Sequence, residues 1–91
     1  MPALLLAITG RVQGVGYRDW MCREAARRGL DGWVRNRPDG SVQALVAGSL
    51  DALAALLDAA HRGPPAARVA AIAESPAEAP AEPGFRRLPT G

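Results

Sequence analysis

The sequence predicts an α+β fold in which two helices cover one face of a mainly antiparallel sheet of four to five strands. Three observations predict it. A near-continuous apolar run, Leu4 to Ile8, has the length of a buried strand. Two later segments carry apolar residues every three to four positions, as helices with one buried face do. Between them, two short apolar runs flank Arg37-Pro38-Asp39-Gly40. There Pro presets one dihedral and Gly accepts positive φ, so the pair reads as a hairpin.

In chain order, the first strand spans Leu4 to Thr9. Gly10, Gly14 and Gly16 follow within seven residues, marking backbone that turns sharply or approaches something closely. A helix is predicted from Tyr17 to Arg28. Tyr17, Met21 and Ala25 form its buried face, Cys22 and Ala26 flank that face, and Arg23, Glu24 and Arg27 lie on the other side. Gly29 ends it. Leu30 to Asn36 is the second strand. Ser41 to Ala47 returns from the hairpin, with Val42, Ala44 and Val46 alternating against Ser41, Gln43 and Leu45. Ser49 caps a second helix with Asp51 in its first turn and a stripe of Leu50, Leu53, Leu56, Leu57 and Ala60. His61 and Arg62 suit its C-terminal dipole, and Gly63-Pro64-Pro65 stops it. Arg68 to Glu74 is a fourth strand with Val69, Ala71 and Ala73 on one face. Ser75 to Gly84, rich in Pro, Ala and Glu, reads as a mobile surface loop. Phe85 to Leu88 is a short last strand stopped by Pro89. The βαββαβ order describes a ferredoxin-like sandwich.

At 91 residues the chain is expected to form a single domain, residues 1–91. With 48% hydrophobic and 22% charged residues, it is neither a disordered chain nor a collagen-like or coiled-coil one. Met1 to Ile8 is too short for a membrane span, which takes ~20 residues, and lacks the features of a signal peptide. A cytoplasmic protein is therefore expected. Cys22 and His61 are each the only residue of their type, which excludes an internal disulfide and leaves little for a transition metal. Every basic residue is arginine, which excludes lysine Schiff-base chemistry and a Walker-type lysine. A net charge of +2 is weak for nucleic acid but suits a small anionic ligand.

The glycine loop lies between a strand and a helix, so free N–H groups at the helix start point into it. Such a nest binds anions, phosphate above all. Arg18 sits in the first helical turn, where positive charge opposes the dipole unless an anion occupies the loop. Its planar fork matches two phosphate oxygens. The same residues also describe a plain glycine-rich turn with a surface arginine. Asn36 can orient a water and donate to an oxygen at once, or it can simply initiate the hairpin turn. Cys22 reads as a buried thiol, His61 as a helix-end residue, Asp19 as a first-turn acid, and Trp20 and Trp33 as packing residues. Arg35 and Arg37 are expected to face solvent.

Gly10-Arg-Val-Gln-Gly14-Val-Gly16-Tyr-Arg18 together with Gly32-Trp-Val-Arg-Asn36-Arg-Pro-Asp-Gly40-Ser-Val42 closely resembles the acylphosphatases. The resemblance covers about residues 4 to 88. It implies a five-stranded ferredoxin-like sheet under two helices and hydrolysis of acyl phosphates to carboxylate and inorganic phosphate, with no metal or cofactor. It further implies that the loop Gln13, Gly14, Val15, Gly16, Tyr17 and Arg18 binds the phosphoryl oxygens through backbone amides, that Arg18 clamps them, and that Asn36 positions the attacking water. The implied partners are a small acyl phosphate and inorganic phosphate as product and inhibitor. A monomer is expected, with no nucleic acid or membrane partner. Gly16 and Tyr17 stand where many members carry bulky aromatics, a variation that looks like the bacterial branch.

Three other readings compete. The domain also resembles the start of hydrogenase-maturation carbamoyltransferases, which leaves carbamoyl phosphate as a possible substrate. RNA recognition domains share the βαββαβ order but use clustered aromatics on the sheet, and only four aromatics exist here. A non-catalytic interaction module has no need of both Arg18 and Asn36.

Overall fold

A computed structural model describes the whole chain, Met1–Gly91. Its elements are β1 (Ala3–Arg11), α1 (Tyr17–Arg27), β2 (Asp31–Asn36), β3 (Val42–Ala47), α2 (Leu50–Arg62), β4 (Arg68–Pro76) and β5 (Phe85–Arg87). The strands form one sheet in the order β4-β1-β3-β2-β5. Every pairing is antiparallel except β2 with β5, which is parallel. This is the predicted ferredoxin-like α+β architecture, with five strands.

The order of the strands decides where the loops meet. β1 and β2 each pair antiparallel to β3, so they run in the same direction. Their C-terminal ends therefore both lie at one end of the sheet. The first carries the glycine loop and the start of α1; the second ends on Asn36. The register makes this concrete: Ile8 of β1 and Asn36 of β2 both face Val42 of β3.

Strand alternation sends Leu6 and Ile8, Val34, and Val42, Ala44 and Val46 to the face beneath the helices. Against them pack Tyr17, Met21 and Ala25 of α1 and Leu53, Leu56 and Ala60 of α2. Each large apolar side chain buried there contributes about 1.5–3 kcal/mol of transfer free energy. Apart from the Tyr17 hydroxyl, which is hydrogen-bonded, no polar or charged side chain is fully buried, so the core carries little desolvation cost.

Several details depart from the expected elements. Leu50 is 71% exposed: it opens α2, whose fully buried positions start at Leu53. Ala26 is exposed and does not flank the buried face of α1. On β4, Ala71 and Ala73 lie on the open face while Val69 and Ile72 pack toward the core. A bulge opposite Thr9 and Gly10 inserts Ala70 and switches the phase, so Val69, Ala71 and Ala73 do not share a face. Ser75 and Pro76 belong to β4, paired with Leu5 and Leu4, rather than to the following loop. Pro76 is accommodated because β4 is an edge strand.

Ser49 caps α2 as expected, its Oγ accepting from the Ala52 N–H at 3.1 Å. The other end of α2 has a consequence for α1. The Ala60 carbonyl would ordinarily accept from residue 64, but Pro64 has no N–H. The buried Tyr17 hydroxyl donates to it instead, at 2.7 Å. Burial pushes the Tyr17 phenol above its usual pKa, so it stays a proton donor throughout the working range. One side chain thus pins the first turn of α1 to the last turn of α2. Tyr17→Phe should cost about 1–3 kcal/mol, because it strands a carbonyl away from water. Urea unfolding measures this; an unchanged midpoint would mean the carbonyl finds another donor.

Candidate active site

The turn between β1 and α1 is built by glycines in left-handed backbone. Gly14 has φ 73° and Gly16 φ 81°, a region that costs other residues roughly 1–2 kcal/mol each. Gly16 is the N-cap of α1 and supplies no side-chain cap. None of the backbone N–H groups from Gln13 through Asp19 donates a hydrogen bond within the chain; the first to do so is that of Trp20, to the Gly16 carbonyl. Helices ordinarily satisfy part of this set with a capping Ser, Thr or Asp. Here the whole set is left open at the positive end of the α1 dipole, an arrangement suited to an anion.

The six loop residues share this backbone but differ in their side chains. Gly14 and Gly16 are exposed, and Val15 packs against the core. Tyr17 is buried among the helices and offers the loop only its N–H. The Gln13 carboxamide turns away to the hairpin, donating to the carbonyls of Arg37 at 2.8 Å and Ser41 at 2.9 Å.

Arg18 is half-buried, and its Nη1 donates to the Leu88 carbonyl at 3.2 Å. Leu88 is itself held to β2, its N–H donating to the Val34 carbonyl at 2.8 Å. The chain continues along β2 until the Gly91 N–H reaches the Asn36 carbonyl at 3.0 Å. Segment 85–91 therefore spans from the Arg18 guanidinium to Asn36. Asn36 ends β2 on the same face as Val34, the helix-covered face. Its side-chain amide makes no hydrogen bond within the chain, whereas both neighbouring side chains are engaged.

Those neighbours do not simply face solvent, as the sequence suggested. Arg35 is half-buried, donates from Nε to Gln43 Oε1 at 2.8 Å and lies 5.1 Å above the Trp33 ring. Arg37 is half-buried and donates to the Gly91 carbonyl. Asp19 pairs with Arg87 at 2.6 Å, which ties α1 to β5. Trp20 packs on the core and against Tyr17, with ring centroids 5.3 Å apart. His61 is exposed in the last turn of α2.

Cys22 is half-buried one turn below Arg18. Burial, and then the Asp19 carboxylate, push its thiol up, outweighing the opposite pull of Arg87, Arg18 and Arg23. A thiol so placed is a poor thiolate and a poor nucleophile. No three His, Cys, Asp or Glu side chains converge on a point that could hold a metal ion. A cleft of about 160 Å³ beside the hairpin turn is lined by Thr9, Gly10, Asp39, Gly40 and Ser41, and includes neither Arg18 nor Asn36.

Comparison with known proteins agrees with this architecture. The family model described as Acylphosphatase matches residues 4–87. An acylphosphatase of Acidiphilium cryptum is 57% identical over 91 residues, covering 100% of both chains. One from Rhizobium meliloti is 59% identical over 87 residues, 92% of this chain and 90% of that one. The crystal structure of acylphosphatase from Bacillus subtilis aligns with a TM-score of 0.91 at 35% identity, over 97% of this chain and 99% of that one.

Proposed function

The chain belongs to the acylphosphatase family, and we propose that it hydrolyses the carboxyl–phosphate bond of small acyl phosphates without a metal or organic cofactor. The observation that carries this reading is the uninterrupted set of open N–H groups from Gln13 to Asp19, with the Arg18 guanidinium in the same turn. Neutral ligands have no use for such a concentration of positive potential; a phosphoryl group does.

In this reading the loop N–H groups and the dipole of α1 receive the phosphoryl oxygens, and the Arg18 fork closes on two of them. Phosphoryl transfer needs positioning and charge stabilisation more than covalent help. Asn36 accepts a hydrogen bond from the attacking water through its side-chain oxygen and donates through its NH₂ to a phosphoryl oxygen. The water oxygen bonds to phosphorus as the bond to the acyl oxygen breaks. That electron pair leaves on the carboxylate, which is stable enough to need no general acid. The water's proton passes to the phosphate. The cradle reads the phosphoryl group, so the acyl part is free to vary within a class of small carboxylic–phosphoric anhydrides.

No helix is long and apolar enough to cross a membrane. The protein is proposed to act as a monomer in the cytoplasm on a diffusing substrate. The experiment that tests the function is release of inorganic phosphate from benzoyl phosphate at neutral pH. Turnover should resist EDTA and be inhibited competitively by added phosphate. Turnover abolished by EDTA, or untouched by phosphate, would sink the metal-free cradle.

A further inference from the structure

The Gln13 side chain is committed away from the phosphate loop. Its Nε2 donates to the Arg37 and Ser41 carbonyls, the two residues that form the neck of the hairpin turn. There the Arg37 N–H donates to the Ser41 carbonyl at 2.8 Å, and the Gly40 N–H to the Arg37 carbonyl at 3.1 Å. Both acceptors of Gln13 are carbonyl oxygens, so only the NH₂ end of its amide can face them, and both of its hydrogens are used. No other hydrogen bond joins residues 12–16 to the hairpin. The next rung of the β2–β3 ladder is the pair Asn36 and Val42.

Asn36 is thus the last residue of a strand, followed by a turn whose tip, Pro38 to Gly40, is exposed. Its backbone is held by Val42 and by the Gly91 N–H, but neither of these ties the strand end to the phosphate loop. Gln13 is well placed to do so: it is half-buried, and the preceding Val12 is anchored in the core at 1% exposure. We propose that Gln13 is a positioning residue whose amide locks the hairpin, and with it Asn36, to the phosphate loop. Its backbone N–H belongs to the cradle, but its side chain does not touch phosphate. It sets the distance between the group that orients water and the group that holds phosphorus. This rests on the roles proposed above for the loop and Asn36.

The test measures kcat for benzoyl phosphate and Ki for inorganic phosphate in Gln13→Ala, Asn36→Ala and the double variant. Gln13→Ala should lower kcat about tenfold or more, as loss of positioning does, and change the phosphate Ki by less than about twofold. In the Asn36→Ala background the same change should cost less than about twofold, because coupled residues are not additive. Equal losses in both backgrounds would overturn the positioning role, as would a raised phosphate Ki with unchanged kcat. If Asn36→Ala alone keeps wild-type kcat, the water role itself falls and the positioning role with it.

Gln13→Glu keeps the shape and gives a second readout that does not depend on Gln13→Ala folding. An ionised carboxylate has no hydrogen for the two carbonyls, and protonation returns one. Its kcat relative to wild type should therefore rise as pH falls; parallel pH profiles would overturn the proposal.

Discussion

Arg18→Ala is expected to lose substrate binding and turnover together, by roughly 3 kcal/mol or more in kcat/KM, about two orders of magnitude or beyond. The guanidinium is the only full charge placed in the first turn beside the open N–H groups, apart from Asp19, whose carboxylate is paired with Arg87. Removing Arg18 leaves the dipole and the amides, which should hold an anion less firmly without the proposed guanidinium fork. It also frees the Leu88 carbonyl, which Arg18 holds at 3.2 Å. Arg18→Lys separates the two effects, since it restores charge without the planar fork. Lysine should recover part of the phosphate affinity and less of the rate. Steady-state kinetics with a phosphate Ki for each variant measures this. Equal phosphate affinity in wild type and Arg18→Ala would show that the cradle lies elsewhere.

Asn36→Ala should behave differently. On the proposed roles the loop and Arg18 remain, so phosphate should still bind, while the water should lose its guide. kcat should fall at least ~10²-fold with a smaller change in KM, the pattern of a positioning interaction made mainly in the transition state. The fold should tolerate the change. The Asn36 side chain bonds to nothing within the chain, and its backbone pairing with Val42 does not depend on it. Near-normal kcat in a folded Asn36→Ala variant would exclude the water role.

These two residues also show how far a sequence reading reaches. The glycine loop, the apolar faces of the helices and the Pro38-Asp39-Gly40 turn are local features, and local pattern predicts them well. The meeting of loop and hairpin is not local. It follows from β3 lying between β1 and β2, which turns both C-terminal ends to one end of the sheet, and no spacing between Arg18 and Asn36 encodes that. The assignment of roles to Arg18 and Asn36 came from the family resemblance; the residues alone left the commoner structural uses open.

Other features were invisible for identifiable reasons. A bulge is a property of two paired strands, so the phase change on β4 at Ala70 could not be seen in β4 by itself. Ser75 and Pro76 look like loop because Pro is foreign to strands in general, yet an edge position accepts it. The Tyr17–Ala60 bond left half a signal. Pro64 four residues after Ala60 announces a carbonyl without a donor, but only the packing of α1 on α2 identifies Tyr17 as the supplier. Gln13 reads as a loop residue in sequence, and only three-dimensional structure sends its amide to the hairpin. The engagement of Arg35 and Arg37 depends likewise on partners distant in the chain.

The most direct test of the account is hydrolysis of benzoyl phosphate by the wild-type protein in ¹⁸O-labelled water, with EDTA present. Water held in line with phosphorus predicts turnover far above the spontaneous rate, with the label in inorganic phosphate and none in benzoate. No enzymatic turnover by the folded protein, or label appearing in benzoate, would contradict it.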